Sequence, residues 1–252
     1  MIDVLVTGAA GKMGSLSAVT IAAQDDLRLA ALVDPQKGDG GEVPWFRDVA
    51  SALARTTPAA ALEFSVPGAV YGNAAALLEA GVPTVVGATG LDDAQVADLS
   101  ARAQASGAGL VIVPNFAVGA VLLMRFAAEA ARYYEHAEII ETHEQAKIDA
   151  PSGTSLRTAR LMAEAPGSAL AAPPGAGRTA RGFVAEERVT IHSVRLPGAV
   201  AHQEVVFGGE DEILTLRHDA LSRRSFMGGV LLALRRVGDV DGTLIGLEHL
   251  LD

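Results

Sequence analysis

Three groups in the run Glu141-Thr142-His143-Glu144-Gln145-Ala146-Lys147-Ile148-Asp149-Ala150-Pro151-Ser152-Gly153-Thr154 have the types and spacing to do chemistry together. His143 carries the side chain whose unperturbed pKa lies nearest neutrality. Lys147 follows four residues on, and on a helical turn that spacing puts imidazole and ammonium on one side. Such a pair can deliver protons to one substrate atom. Ser152-Gly153-Thr154 then opens a helix expected over residues 155–164, and its first-turn amides with the threonine hydroxyl suit a substrate carboxylate. Proton donors beside a carboxylate cradle are what a reductase of a small anionic imine or carbonyl requires. A solvated polar loop with Asp149 or Ser152 capping the helix fits the same residues equally well.

A second chemical segment lies at the start, Thr7-Gly8-Ala9-Ala10-Gly11-Lys12-Met13-Gly14, between an expected strand at 4–6 and a helix over 14–23. Small residues there let the backbone approach a pyrophosphate, and the helix N-terminus offers amide donors. Asp34 closes the next strand, where a carboxylate can bind the adenosine ribose hydroxyls. Lys12 is placed to meet a 2′-phosphate, so NADH and NADPH both fit. Later strands end in Phe64-Ser65-Val66-Pro67, Gly87-Ala88-Thr89-Gly90 and Pro114-Asn115-Phe116. Each is also a plain turn, but three in register with a phosphate loop favour a ligand edge.

The elements that must position these groups alternate. Short β-branched runs at 29–33, 60–64, 84–87 and 110–113 are separated by helical patterns at 50–54, 69–80 and 94–106. That rhythm implies βαβ units and a parallel sheet. Beyond Asn115 a long helix is expected at 119–133, then strands at 138–142, 189–195, 202–208 and 213–218, and a closing helix at 225–236. Residues 166–182, rich in Gly, Pro and Ala and carrying Arg178 and Arg181, read as a mobile loop. The fold class is therefore α/β: a Rossmann-like doubly wound parallel sheet plus a second α/β domain with an open mixed sheet. Domains are expected at 1–117 with 219–252, and at 118–218.

Half of the 252 residues are hydrophobic and a fifth charged, enough for a sizeable core. The net charge of −10 argues against nucleic-acid binding, which needs a basic face. With no cysteine there are no disulfides, thiolate metal sites or cysteine nucleophiles. The N-terminus reads as a strand rather than a signal peptide, and no apolar run reaches membrane-span length. A soluble, cytoplasmic protein without metal is expected.

The chemical segment resembles the 4-hydroxy-tetrahydrodipicolinate reductases (dihydrodipicolinate reductases) of the diaminopimelate route to lysine. Their pattern E-x-H-H-x-x-K-x-D-A-P-S-G-T is met at Glu141, His143, Lys147 and throughout 149–154. The likeness extends to the Gly-rich start, the 87–90 and 114–116 turns, residues 200–205 and Leu216-Arg217-His218-Asp219. It implies hydride transfer from NADH or NADPH to a cyclic dicarboxylate imine, with His143 and Lys147 as proton donors. It also implies that Gly153 and Thr154 bind a substrate carboxylate. Gly8, Ala9, Ala10, Gly11, Lys12, Met13, Asp34, Gly87, Ala88, Thr89, Val113, Pro114, Asn115 and Phe116 would hold the cofactor, in a homotetramer. Three positions depart from the pattern: Glu63 replaces an Asp, Ala88 a usual Thr, and Glu144 the second His, which contacts substrate. A carboxylate at 144 repels a dianion unless Lys147 or an arginine neutralises it or it points away. His192, Arg195 and His202 are the other polar candidates for that pocket.

A short-chain dehydrogenase would need Tyr-x-x-x-Lys, and Tyr71, Tyr133 and Tyr134 all lack the lysine. Two alternatives stay open: a reductase retargeted to another cyclic imino or keto acid, with Glu144 reading the difference, and a non-catalytic dinucleotide sensor.

Overall fold

The computed structural model describes residues 1–36, 41–173 and 181–251. In chain order its first elements are β1 (Ile2–Thr7), α1 (Lys12–Ala22), β2 (Leu27–Val33), β3 (Trp45–Phe46), α2 (Val49–Leu53), β4 (Ala60–Glu63), α3 (Pro67–Glu79), β5 (Thr84–Val86), α4 (Asp93–Ser106) and β6 (Leu110–Ile112). There follow α5 (Val118–Ala130), β7 (His136–His143), α6 (Gly153–Glu164), β8 (Phe183–Ala185), β9 (Val189–Arg195), β10 (Ala201–Gly209), β11 (Glu212–Ala220), α7 (Met227–Arg236) and β12 (Thr243–Ile245). They form two compact units, Met1–Phe116 with Phe226–Asp252, and Ala117–Ser225.

The first unit is built on a parallel sheet of order β3-β2-β1-β4-β5-β6-β12. Val4, Leu5 and Val6 are all fully buried, as a strand covered on both faces requires. Leu5 packs with Val49, Ala52 and Leu77 from α2 and α3, and Leu99 and Ala103 of α4 join Val86 and Leu110. Local signals fix the helix ends. Pro67 starts α3, while Asp92 and Gln95 form a capping box at α4, which stops at Gly107 in the left-handed region. Strand order reverses between β1 and β4, which opens a crevice at their carboxyl ends.

The second unit is a five-stranded mixed sheet of order β11-β10-β7-β9-β8. Only β7 and β9 run parallel; the other neighbours are antiparallel. Helices α5 and α6 cover one face, where Leu123, Ala127, Ala159 and Met162 meet Ile139, Ile191, Val205 and Phe207. Ile140 points to the other face and is 40 % exposed. Of the run 166–182 expected to be mobile, residues 174–180, Arg178 included, lie outside the described residues. Arg181 pairs with Glu138.

A tight backbone approach lies at the start of α1. Gly8 has φ of +64°, and a Cβ on Gly14 would lie 2.1 Å from the Gly8 carbonyl oxygen. Gly14→Ala must push the loop off the helix, at a cost of about 1–3 kcal/mol. A lower Tm and weakened NADH binding, read by melting and titration, are the expected outcome.

Candidate active site

Alternation along β7 points Ala137, Ile139, Glu141 and His143 to the face covered by α5 and α6. The first two are core residues; Glu141 is 0 % exposed and so needs partners. β9 supplies one, because its parallel register sets Arg195 beside His143. The Arg195 guanidinium meets the carboxylate as a fork, Nη1 to Oε2 and Nη2 to Oε1, both 2.9 Å. Its other donors reach the carbonyls of Val194 at 2.8 Å, Lys147 at 3.2 Å and Asp149 at 2.5 Å. All five guanidinium N–H groups are thereby used. The Ser152 amide donates to Glu141 Oε1 at 3.3 Å, and His143 Nδ1 sits against Oε2. One carboxylate thus joins the imidazole to the cap of α6.

Burial acts to raise Glu141, but hydrogen bonds from Arg195, Ser193 and His143 outweigh it and hold the carboxyl below its usual range. Burial pushes His143 below the ordinary imidazole range. Glu141 pulls it back up, while the charges of Lys147 and Arg195 push it further down.

The expected helical turn between His143 and Lys147 does not form. His143 is the last residue of β7, and the Lys147 amide closes a turn on the Glu144 carbonyl at 3.0 Å. Arg195 takes the Lys147 and Asp149 carbonyls, which a helix would use internally. Lys147 Nζ lies 2.7 Å from both Asp149 oxygens and keeps that carboxyl low. Glu144 is met by Arg223 Nη2 at 3.4 Å, so an arginine does offset its charge. His192 pairs with Glu138 and His202 with Asp219, each at 2.7 Å, outside the Glu141 network.

Ser152 caps α6 through the Ser155 amide at 3.2 Å. Hydrogen bonds then run from Ser152 to Ser155, on to Gln203 of β10, and back to Thr158, at 2.8–2.9 Å. All four residues are buried, so the first turn is fixed to the sheet. Gly153 and Thr154 stand at its first two positions. A Cβ on Gly153 would meet nothing within 4 Å, which leaves open space over the helix start.

In the first unit the Gly-rich loop follows β1, and α1 begins at Lys12, earlier than expected, with Gly11 giving no side-chain cap. A cavity of about 370 Å³ opens at the β1/β4 reversal, lined by Gly8, Gly11, Asp34, Arg47, Phe64 and Ser65 among others. Asp34 accepts the Ala10 amide at 3.1 Å and the Gln36 amide at 2.9 Å. Of the loop residues, Ala10 also lines the cavity, whereas Ala9, Lys12 and Met13 do not. The cation in the lining is Arg47, which the sequence reading passed over. Gly87 and Ala88 donate their amides to the Glu63 carbonyl, and Thr89 follows β5. Val113 bonds back to Val86; Pro114 and Asn115 lead to Phe116, whose ring meets Phe64 edge-on at 5.5 Å. An uncapped helix start, a glycine clearance and a carboxylate-lined cavity fit a dinucleotide.

The family description "Dihydrodipicolinate reductase, N-terminus" matches residues 2–116, and "Dihydrodipicolinate reductase, C-terminus" matches residues 119–251. The 4-hydroxy-tetrahydrodipicolinate reductase of Moorella thermoacetica is 42 % identical over 100 % of this chain and 98 % of its own. That of Cyanothece sp. is 43 % identical over 99 % and 98 %. Among solved structures, dipicolinate-bound dihydrodipicolinate reductase from Paenisporosarcina sp. TG-14 superposes with a TM-score of 0.88, at 37 % identity and full coverage of both chains. A probable dehydrogenase from Thermotoga maritima, 12 % identical with a TM-score of 0.65, shares the fold alone. With both halves matched and relatives above 40 % identity along its whole length, the chain belongs to the dihydrodipicolinate reductase family of NAD(P)H-dependent oxidoreductases.

Proposed function

We propose that His143 and Lys147 are the proton donors, and Gly153 and Thr154 the carboxylate site, of a 4-hydroxy-tetrahydrodipicolinate reductase. The enzyme reduces this cyclic dicarboxylate to tetrahydrodipicolinate on the diaminopimelate route to lysine, using NADH or NADPH. The observation that carries the reading is the Glu141 carboxylate, whose two oxygens hold the imidazole of His143 and the cap of α6. Relatives bear that activity in their names, and the Paenisporosarcina enzyme holds dipicolinate, a ring dicarboxylate.

The reduced nicotinamide, when bound, supplies hydride. Gly8, Ala9, Ala10, Gly11, Lys12 and Met13 would receive its pyrophosphate, and Asp34 the adenosine ribose. Residues 87–89 and 113–116 would line the nicotinamide end. In the second unit, the first-turn amides of α6 and the Thr154 hydroxyl receive one substrate carboxylate. His143, assisted by Lys147, gives the balancing proton. The sheet face bearing Ile140 is turned away from α5 and α6 and suits assembly into a homotetramer. No helix among the described residues is long and apolar enough to cross a membrane; we place the enzyme in the cytoplasm with its pathway.

Since the proton donor is the imidazolium, kcat/KM should fall as pH rises through the pKa of His143 in the free enzyme, a midpoint that burial holds below the ordinary imidazole range. His143→Gln should remove that limb and lower kcat by about 10²–10⁴-fold; a limb that survives takes His143 out of the role. Gly153→Ala puts a methyl into the open space and removes a helix-disfavouring glycine, so Tm should hold or rise slightly. KM for the imine should rise about tenfold, a loss of uniform substrate binding, with KM for NADH unchanged; an unchanged imine KM would place the carboxylate elsewhere. The Glu144–Arg223 pair favours the unaltered substrate over a retargeted one. Glu144→His should then change kcat/KM by less than about threefold, the scale of an exposed pair. A large gain would support retargeting.

A further inference from the structure

A neutral imidazole carries one proton on one of two nitrogens, and the neighbour of each nitrogen decides which. At His143 that neighbour is Glu141, whose Oε2 faces Nδ1. Its two oxygens also accept the Arg195 fork and the Ser152 amide, contacts that suit the ionised form. An ionised carboxylate only accepts, so the hydrogen between them belongs to Nδ1 whatever the charge of the ring.

We infer that Glu141 is the positioning residue of the proton donor: held by Arg195 and Ser152, it keeps the hydrogen on Nδ1 and leaves Nε2 as the nitrogen that gives and regains the proton. The inference rests on His143 being the donor and goes further, because it names the working atom and what fixes it. In the reaction, the Nε2–H bond of the imidazolium breaks with its electron pair remaining on Nε2. The proton goes to the substrate, the hydride supplies the two electrons of the reduction, the 4-hydroxyl leaves as water, and the ring is left neutral with Nδ1–H still on Glu141. The charged groups acting on His143 are Glu141 on its own strand, Arg195 on β9 and Lys147 on the following loop. On β10 the residue opposite is Ala201, and at the start of α6 the Ser152 amide bonds the same Glu141 carboxylate. Among these, Glu141 alone favours the imidazolium.

A purely structural Glu141, anchoring Arg195 and the loop, is the rival. The first test uses the full-length, unmodified enzyme with histidine ring nitrogens isotopically labelled, the His143 signals being assigned by their loss in His143→Gln. Above the titration midpoint, NMR should show a protonated Nδ1 and a bare Nε2; a protonated Nε2 overturns the inference. No turnover is needed, so the result is independent of the proposed substrate. The second test is a double-mutant cycle. Glu141→Gln alone should lower kcat at least about a hundredfold and leave KM for NADH within about twofold. It should also move the descending limb of kcat/KM to lower pH, since the group that favours the imidazolium is gone. In a His143→Gln background the same change should cost less than about threefold, because Glu141 acts only through the ring. Equal losses in both backgrounds overturn the inference. Should Glu141→Gln not fold, the tautomer decides alone.

Discussion

A carboxylate taken wholly out of water must be met by donors or give up its charge, and in the second unit Glu141 sets that condition. Everything near the chemical segment is arranged around meeting it. Losing one partner of such a buried pair costs about 3–5 kcal/mol, whereas exposed pairs are worth about 0.2–1 kcal/mol. Arg28–Asp3 and Arg223–Glu144 are of the second kind, with at least one side chain well exposed in each. The Glu141–Arg195 pair therefore sets the local geometry of the second unit, which the exposed Arg223–Glu144 pair is too weak to do.

The device works because it reaches backbone as well as side chain. Residues 144–152 have no regular hydrogen-bonded partner strand or helix, yet two of their carbonyls go to Arg195 and one amide to Glu141. A comparable solution stands in the first unit at the carboxyl edge of the parallel sheet. Buried Asp34 takes the Ala10 and Gln36 amides, and buried Glu63 takes the Thr7 hydroxyl and the Ser65 amide. At each strand end a short acidic side chain replaces the neighbour that the backbone lacks. Loops held this way can present amides to a ligand without collapsing onto one another.

The parallel sheet and the mixed sheet were legible in the sequence, because period and length separate buried strands from amphipathic helices over long windows. The short edge strands β3, β8 and β12 were not, whereas β5 and β6, equally short but central and apolar, were. A short strand at an edge has neither a period nor a buried run to mark it, and its place is set by the edge it joins. Glu141 and His143 show the same limit at the site. Their two-residue spacing was available as a strand signal, but the four-residue spacing of His143 and Lys147 suggested a helical turn instead. What overrides it is Arg195, some fifty positions away, and its approach depends on strand register rather than local pattern. Arg47 was missed in the same way, since its place in the cavity follows from the pairing of β2 with β3.

The charge bookkeeping of the second unit bears on how an acidic protein holds a dianion. Arg195 is spent on Glu141, Lys147 lies on Asp149, and Arg223 faces Glu144. These three cations are matched by three anions, so their sum attracts nothing. Beside them stand the dipole and amides at the start of α6, and the ring of His143. Burial keeps that ring below the ordinary imidazole range. An arriving dicarboxylate reverses the balance, because a nearby negative charge favours the imidazolium. It also competes with Asp149 for Lys147. On the roles proposed above, binding and proton uptake are linked: the substrate that needs the proton is the group that charges the donor, and Glu141 directs the proton to enter and leave at Nε2.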